Sequence, residues 1–374
     1  MGKFIIKRVL YGFLVLFGVL TVVFFLFNVL PGDPIRMRMG QHTDQKSIDV
    51  IKADLGLDQP LGIQYLMFLN DLSFVSFHNV NRLDSTEHMK NASAPIDTNR
   101  YYLDPKKYGE PTQLLSLGNG NVMVWKAPYL RRSYINQRPV WDLVSSTLPE
   151  TVVLAITSII FAAIIGILFG ILTAIYKNTW LDKIVSVFST LGMAVPSFFS
   201  ALIIAWLFGY LWRDYTGLKN IGSLHTTDVY TGEEYLDLKN LILPAITLGI
   251  RPLALIIQLT RSSMLEILTA DFVRTARAKG LHGYVVITKH ALKNALNPVI
   301  TAISGWFAGL MAGAAFVEAV FDWKGIGGAV VDALMNYDLP VVMGSTLVFA
   351  TCFVIINIAV DVIYGILDPR VRLA

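Results

Sequence analysis

The chain has 374 residues, of which 54% are hydrophobic and only 16% charged, with a mean hydropathy of +0.55 and a formal net charge of +4. A soluble globular domain carries about 25% charged residues, so composition excludes that class and points to a membrane protein. One cysteine, Cys352, excludes an intramolecular disulfide.

A bilayer is crossed by about 20 apolar residues, and six runs reach that length: roughly 9–30, 151–176, 184–212, 241–260, 298–321 and 339–360. Lys3, Lys7 and Arg8 precede the first run, which is too long for a signal peptide core. It also lacks a small-residue cleavage site, so it reads as a retained span. Residues 31–146 then form a large insertion of mixed structure. Within it Ser47 to Leu69 reads as short helices and Val122 to Lys126 as a strand. Pro196 in the third run, and Pro244 and Pro252 in the fourth, each remove a helix hydrogen bond and are expected to bend their spans.

The fourth run holds Arg251 and the fifth holds Glu318. Intramembrane charge is costly, so both are candidates for the pathway or for a partner, with structural roles as the alternative. Between these runs lies a polar stretch, 271–281. Asp271 is placed to cap a helix start, Phe272 and Ala276 share a face, and Gly280 suits a left-handed C-terminal cap. A short amphipathic helix is expected there. Asn297 and Pro298 read as the N-cap and first residue of the fifth span. Gly305, Gly309 and Gly313 line one face of that span, and Gly166 and Gly170 repeat the pattern in the second. Such faces let helices approach closely in lipid.

The distribution of charge sets the orientation. With the N-terminus inside, residues 1–8, 177–183, 261–297 and 368–374 hold 13 Lys and Arg, against 4 in the short outer loops 213–240 and 322–338. Positive residues collect on the cytoplasmic side, so both termini are expected inside and the 31–146 insertion outside. Three parts follow: the N-terminus with the first span, 1–30; the insertion, 31–146; and a five-helix core, 147–374, with a cytoplasmic loop at 261–297. The six histidines show no metal-ligand spacing, no nucleophile–base set assembles, and no G-x-x-x-x-G-K-[ST] phosphate loop occurs. Neither an enzyme nor a nucleic-acid binder is expected.

Motifs in order through the chain carry a resemblance. They are Pro31 to Pro34, Leu55 to Pro60, Thr260 to Glu266, Asp271 to Leu281, Lys289 to Leu296, Phe321 to Gly327, Asp332 to Leu334 and Asp361 to Arg370. Together they resemble the first (B-type) permease subunit of dipeptide, oligopeptide and nickel-type ABC importers. The resemblance implies an all-α integral membrane protein with the six-helix type I importer permease fold, in a bacterial-type inner membrane. It implies four kinds of partner: a second permease subunit, two cytoplasmic ATPases that bind ATP and Mg, an extracytoplasmic solute-binding protein, and the lipid bilayer. No cofactor is implied in this chain.

It further implies that Asp271, Arg274, Thr275, Ala276, Arg277, Gly280 and Leu281 couple to one ATPase. Where the broader importer pattern has Glu-Ala-Ala, this chain has Arg274, Thr275 and Ala276. The segment 79–130 is longer than the family's usual loop. It could enlarge a dock for the binding protein, with Tyr101, Tyr102, Trp125 and Tyr129 as contacts, or form a passive insertion. The rival from another class is an ion-coupled secondary transporter, which usually places carboxylates or broken helices at mid-membrane. Dipeptides, longer peptides and nickel chelates all remain open as solutes.

Overall fold

The computed structural model describes residues 2–29, 59–80, 103, 105–227 and 231–367. The motifs at 31–34 and 55–58, together with Tyr101, Tyr102 and Asp368, lie outside the described residues. In chain order the elements are α1 (Gly2–Val29), α2 (Leu61–Leu72), β1 (Val75–Asn79), β2 (Thr112–Gly118), β3 (Asn121–Trp125) and α3 (Val140–Ile175). There follow α4 (Trp180–Ala194), α5 (Ser197–Ile204), β4 (His225–Thr227), β5 (Glu234–Leu236), α6 (Lys239–Leu268) and α7 (Asp271–Ala278). The last four are α8 (Asn297–Gly313), α9 (Ala315–Phe321), α10 (Ile326–Met335) and α11 (Leu339–Leu367).

Four described helices are long and apolar enough to cross a membrane: Ile6–Phe27, Val140–Ile175, Lys239–Leu268 and Leu339–Val362. The count reaches six if two bent pairs each make one span, α4 with Ser197–Leu211 and α8 with α9. The first pair turns by 113° at Pro196, as a proline that denies the helix its next hydrogen bond would cause. Pro244 and Pro252 do not act this way. The helix α6 runs unbroken through both, and both are buried among neighbouring helices.

The chain divides into two compact units. One comprises Met1–Phe17, Ser145–Asp332 and Val348–Ala374. Its core gathers Leu154, Leu241, Leu248, Met311, Val317, Phe321 and Trp323. Glycines set the approach of α3 to α6. A Cβ at Gly166 would lie 2.7 Å from Ile256 Cγ2, and one at Gly170 would collide with Thr260. Arg8 pairs with Asp361 at 3.1 Å, joining the start of α1 to α11.

The other unit comprises Gly18–Val144 and Ala333–Leu347. Phe24, Phe68 and Met343 form its apolar centre, and Thr21 and Tyr65 share a hydrogen bond of 2.7 Å beside it. A three-stranded antiparallel sheet follows, in the order β1-β3-β2. The expected strand at 122–126 is β3. Its partner β2 is exposed along its whole length, so it shows no alternation by which sequence could reveal it.

Two carboxylates tie this unit. Asp71 accepts from Tyr108 Oη at 2.9 Å and from Arg131 Nε at 3.4 Å. Asp338, 2% exposed, accepts from the Ser133 hydroxyl and from the Tyr134 N–H at 2.9 Å. Lys126 is also buried. Its ammonium donates to the Asp71 carbonyl and lies 4.8 Å from the centre of the Tyr108 ring.

Burial lowers the Lys126 pKa from 10.5 to about 8, against the opposing pull of Asp71. Below pH 8 folded and unfolded chains both hold this proton. Between pH 8 and 10.5 only the unfolded chain does, so stability should rise with pH through that window. Burial raises the Tyr108, Tyr129 and Tyr134 phenols, which reverses the trend above about pH 10. Denaturant titrations read through tryptophan fluorescence, in a chain whose other tryptophans are replaced by phenylalanine so that Trp125 reports alone, should show a midpoint rising from pH 8 towards 10, and Lys126→Met should flatten that rise. An equal rise in the variant would remove Lys126 as its source.

Candidate functional site

The polar stretch at 271–281 forms α7, held against the end of α6 by a small apolar knot. Val273 and Ala276 are buried on its inner face, against Val286 and Ile267. The rest faces outward: Asp271, Phe272, Arg274, Thr275, Arg277, Lys279, Gly280 and Leu281 are all exposed. Sequence reasoning paired Phe272 with Ala276 on one face, but Val273 takes the inward position and leaves Phe272 45% exposed beside the arginines. The reason is tertiary: Val286 arrives from the following π-helical stretch, Val286–Leu292.

Asp271 is not the N-cap. Ala270 occupies that position in an extended conformation, and Asp271 lies in the first turn. There its charge opposes the helix dipole favourably, and it pairs loosely with Arg274 at 3.6 Å. Thr275 Oγ1 donates back to the Asp271 carbonyl at 2.9 Å. Gly280 takes a left-handed conformation, with φ +74°, and turns the chain towards His282. The result is an outward face carrying three cations and one acid, flanked by exposed apolar Phe272, Leu281 and Tyr284.

The helix that carries α7 is firmly seated. Met264 on α6 packs with Ala174, Ala291 and Ala295, all at 4% exposure or less. About two turns before the end of α6, Arg261 grips Asp182. Sequence reasoning gave Asp182 no role. Its one local signal is Thr179, whose hydroxyl caps α4.

The other candidates lie apart. Arg251 is exposed on α6 and has no ion-pair partner among the described residues. Gly305 and Gly309 meet nothing within 4 Å in this chain, and Gly313 ends the same helix. Asn297 does not cap α8; Leu296 holds that position, because a short helical turn runs directly into it. Trp125 is 52% exposed and stacks on Phe74, whereas Tyr129 is half-buried against Tyr108.

Glu318 is fully buried. It accepts from Thr151 Oγ1 at 2.6 Å and from the Gly328 N–H at 2.8 Å, at the start of α10. The Thr151 hydroxyl also accepts the Ile326 N–H at 3.0 Å. A side chain on Gly325 or Gly327 would take the space of this carboxylate. Close by, the Trp323 indole donates to the Glu150 carbonyl, and the Glu150 carboxylate pairs with His225 at 2.5 Å. This geometry supports a holding role for Glu318 over contact with a solute. Glu318→Ala strips the acceptor from buried donors, at roughly 1–3 kcal/mol each. Its melting temperature in detergent should fall well below that of Glu318→Gln, which keeps an acceptor oxygen. Equal melting of the two variants would count against that role.

Comparison with known proteins places the chain. Residues 166–373 match the binding-protein-dependent transport system inner membrane component, and residues 1–85 match the N-terminal model of the same transport-system membrane components. The dipeptide transport system permease protein DppB of Alkalihalophilus pseudofirmus is 31% identical over all of both chains. The glutathione transport system permease protein GsiC of Escherichia coli K12 is 30% identical over 100% of this chain and 99% of its own. Among solved structures, a chain of the MetNI methionine ABC transporter in an inward-facing conformation matches 61% of this chain and 97% of its own. The TM-score is 0.50 at 21% identity, a likeness of fold. The chain therefore belongs to the binding-protein-dependent transport system inner membrane component family and is an ABC importer permease.

Proposed function

We propose that this chain is one of two permease subunits of an ATP-driven importer for peptides or similar small solutes. Two observations support the solute class: the full-length similarity to relatives named for dipeptide and glutathione transport, and the ordered motifs of the peptide-type branch. Family membership weighs against the ion-coupled alternative.

In this reading the two bent pairs each make one span, giving six. Both termini and the 261–297 loop lie in the cytoplasm, while 31–146 lies outside and faces the solute-binding protein. ATP and Mg bind to two separate ATPase subunits. The open face at Gly305 and Gly309 receives the second permease, and Arg251 meets either that partner or the aqueous path.

The observation that carries the reading is α7. A short helix whose inner face is buried in its own chain, and whose outer face is cationic and ringed by exposed apolar side chains, is built to sit in another protein's groove. Packed interfaces rearrange as discrete states, so such a helix moves with its partner as a rigid piece.

Gly280 tests this. A valine there must adopt the left-handed conformation, at about 1–2 kcal/mol for an L-residue, and it would disturb the turn that ends α7. In proteoliposomes holding the assembled complex, Gly280→Val should abolish ATP-dependent uptake with unchanged amounts of protein. Undiminished uptake would contradict the docking of this segment.

A further inference from the structure

The carboxylate of Asp182 is 4% exposed, and Arg261 meets it with two parallel bonds, Nε to Oδ1 at 2.7 Å and Nη2 to Oδ2 at 2.9 Å. Oδ2 also accepts the Asn178 N–H at 2.9 Å, so the acid is held from both sides. Asp182 lies in the first turn of α4, and Arg261 lies about two turns before the end of α6 at Leu268. Beside the pair Thr260 fills the space at Gly170, and towards the other end of α4 Ile250 would stand 3.1 Å from a Cβ on Gly192.

We infer that Asp182 and Arg261 are positioning residues for transport: their fork carries motion of the α7 stem into α4, the first half of the span that breaks at Pro196. This rests on the reading that α7 engages an ATPase. The physical ground is the shape of the contact. A planar guanidinium bound at two points resists sliding and rotation, whereas an ammonium at one point does not. Apolar packing alone lets α6 slip past α4 by small amounts; the fork forbids it. Below the pair, α6 leads within ten residues to α7. Above it, α4 leads to the 113° break. A displacement at the outward face of α7 thus reaches the broken span through this fork, beside the apolar packing of α6 on α4. The carboxylate and the guanidinium are taken up by each other, so the effect of the pair is on coupling.

The test uses the complete complex in proteoliposomes, with ATP hydrolysis and peptide uptake measured on the same sample. Arg261→Lys keeps the charge and loses the fork, Asp182→Asn keeps the shape and loses the charge, and Asp182→Glu keeps both the charge and a forked contact. Hydrolysis per peptide moved should rise at least about fivefold in the first two and stay near the unmodified value in Asp182→Glu. Uptake and hydrolysis falling in proportion, with an unchanged ratio, would overturn the inference and leave the pair a stabilising contact only. Loss of assembly in both Arg261→Lys and Asp182→Asn would overturn it as well. An unmodified complex that shows no ATP-dependent uptake would instead overturn the functional reading beneath it.

Discussion

A charge buried in an apolar helical protein must be met by partners, because leaving it bare costs several kcal/mol. Among the described residues of the helical unit, two such obligations stand at opposite ends of α3. Glu318 is satisfied by Thr151 and the start of α10; Asp182 is satisfied by Arg261 and the turn before α4. Thr151 and Gly170, which mark the neighbourhoods of the two sites on α3, are separated by about 28 Å of helix. Between them the packing is apolar and close, with Gly166 and Gly170 drawing α3 onto α6. The polar joints therefore sit where loops meet helices, and the helices between them act as struts.

This arrangement suits a chain that holds no phosphate loop of its own. Work done elsewhere has to enter through a rigid surface feature. The segment 271–281 is such a feature, because its inner face is committed to Ile267 and Val286 and only its outer face is available. The helix behind it is pinned by Met264 among alanines and by Arg261. Flexible attachment would dissipate a push; under the proposed function this attachment would transmit it. The second unit has a different character. Its outer strand β2 is exposed, and the half-buried Asp71 and the buried Asp338 tie its segments together.

Much of this was legible in the sequence because membranes impose strong local rules. The apolar runs, the polar interruption at 271–281, the left-handed Gly280 and the break at Pro196 all follow from residue chemistry within a few positions. What escaped depended on distant partners. Glu318 read as a candidate for the pathway or a partner, and its burial is set by Thr151, 167 positions away, and by the glycines that fold back over it. Asp182 drew no reading at all, because its partner lies 79 positions on. Glycine spacing was equally blind to context. The same pattern packs tightly at Gly166 and Gly170 and stands open at Gly305 and Gly309, since only neighbours distinguish an inner face from an outer one. Phe272, read as sharing a face with Ala276, gave the inward position to Val273 for the same reason.

The central claim is that the outward face of α7 sits in the groove of a nucleotide-hydrolysing partner. Replacing Arg277 with cysteine, in a chain where Cys352 has become serine, places a single thiol on that face for crosslinking in the intact membrane complex. The account predicts a covalent adduct with the ATPase subunit, whose yield changes when ATP is added. An assembled complex that gives no such adduct, or a thiol that reacts with an impermeant reagent from outside the cell, would contradict it.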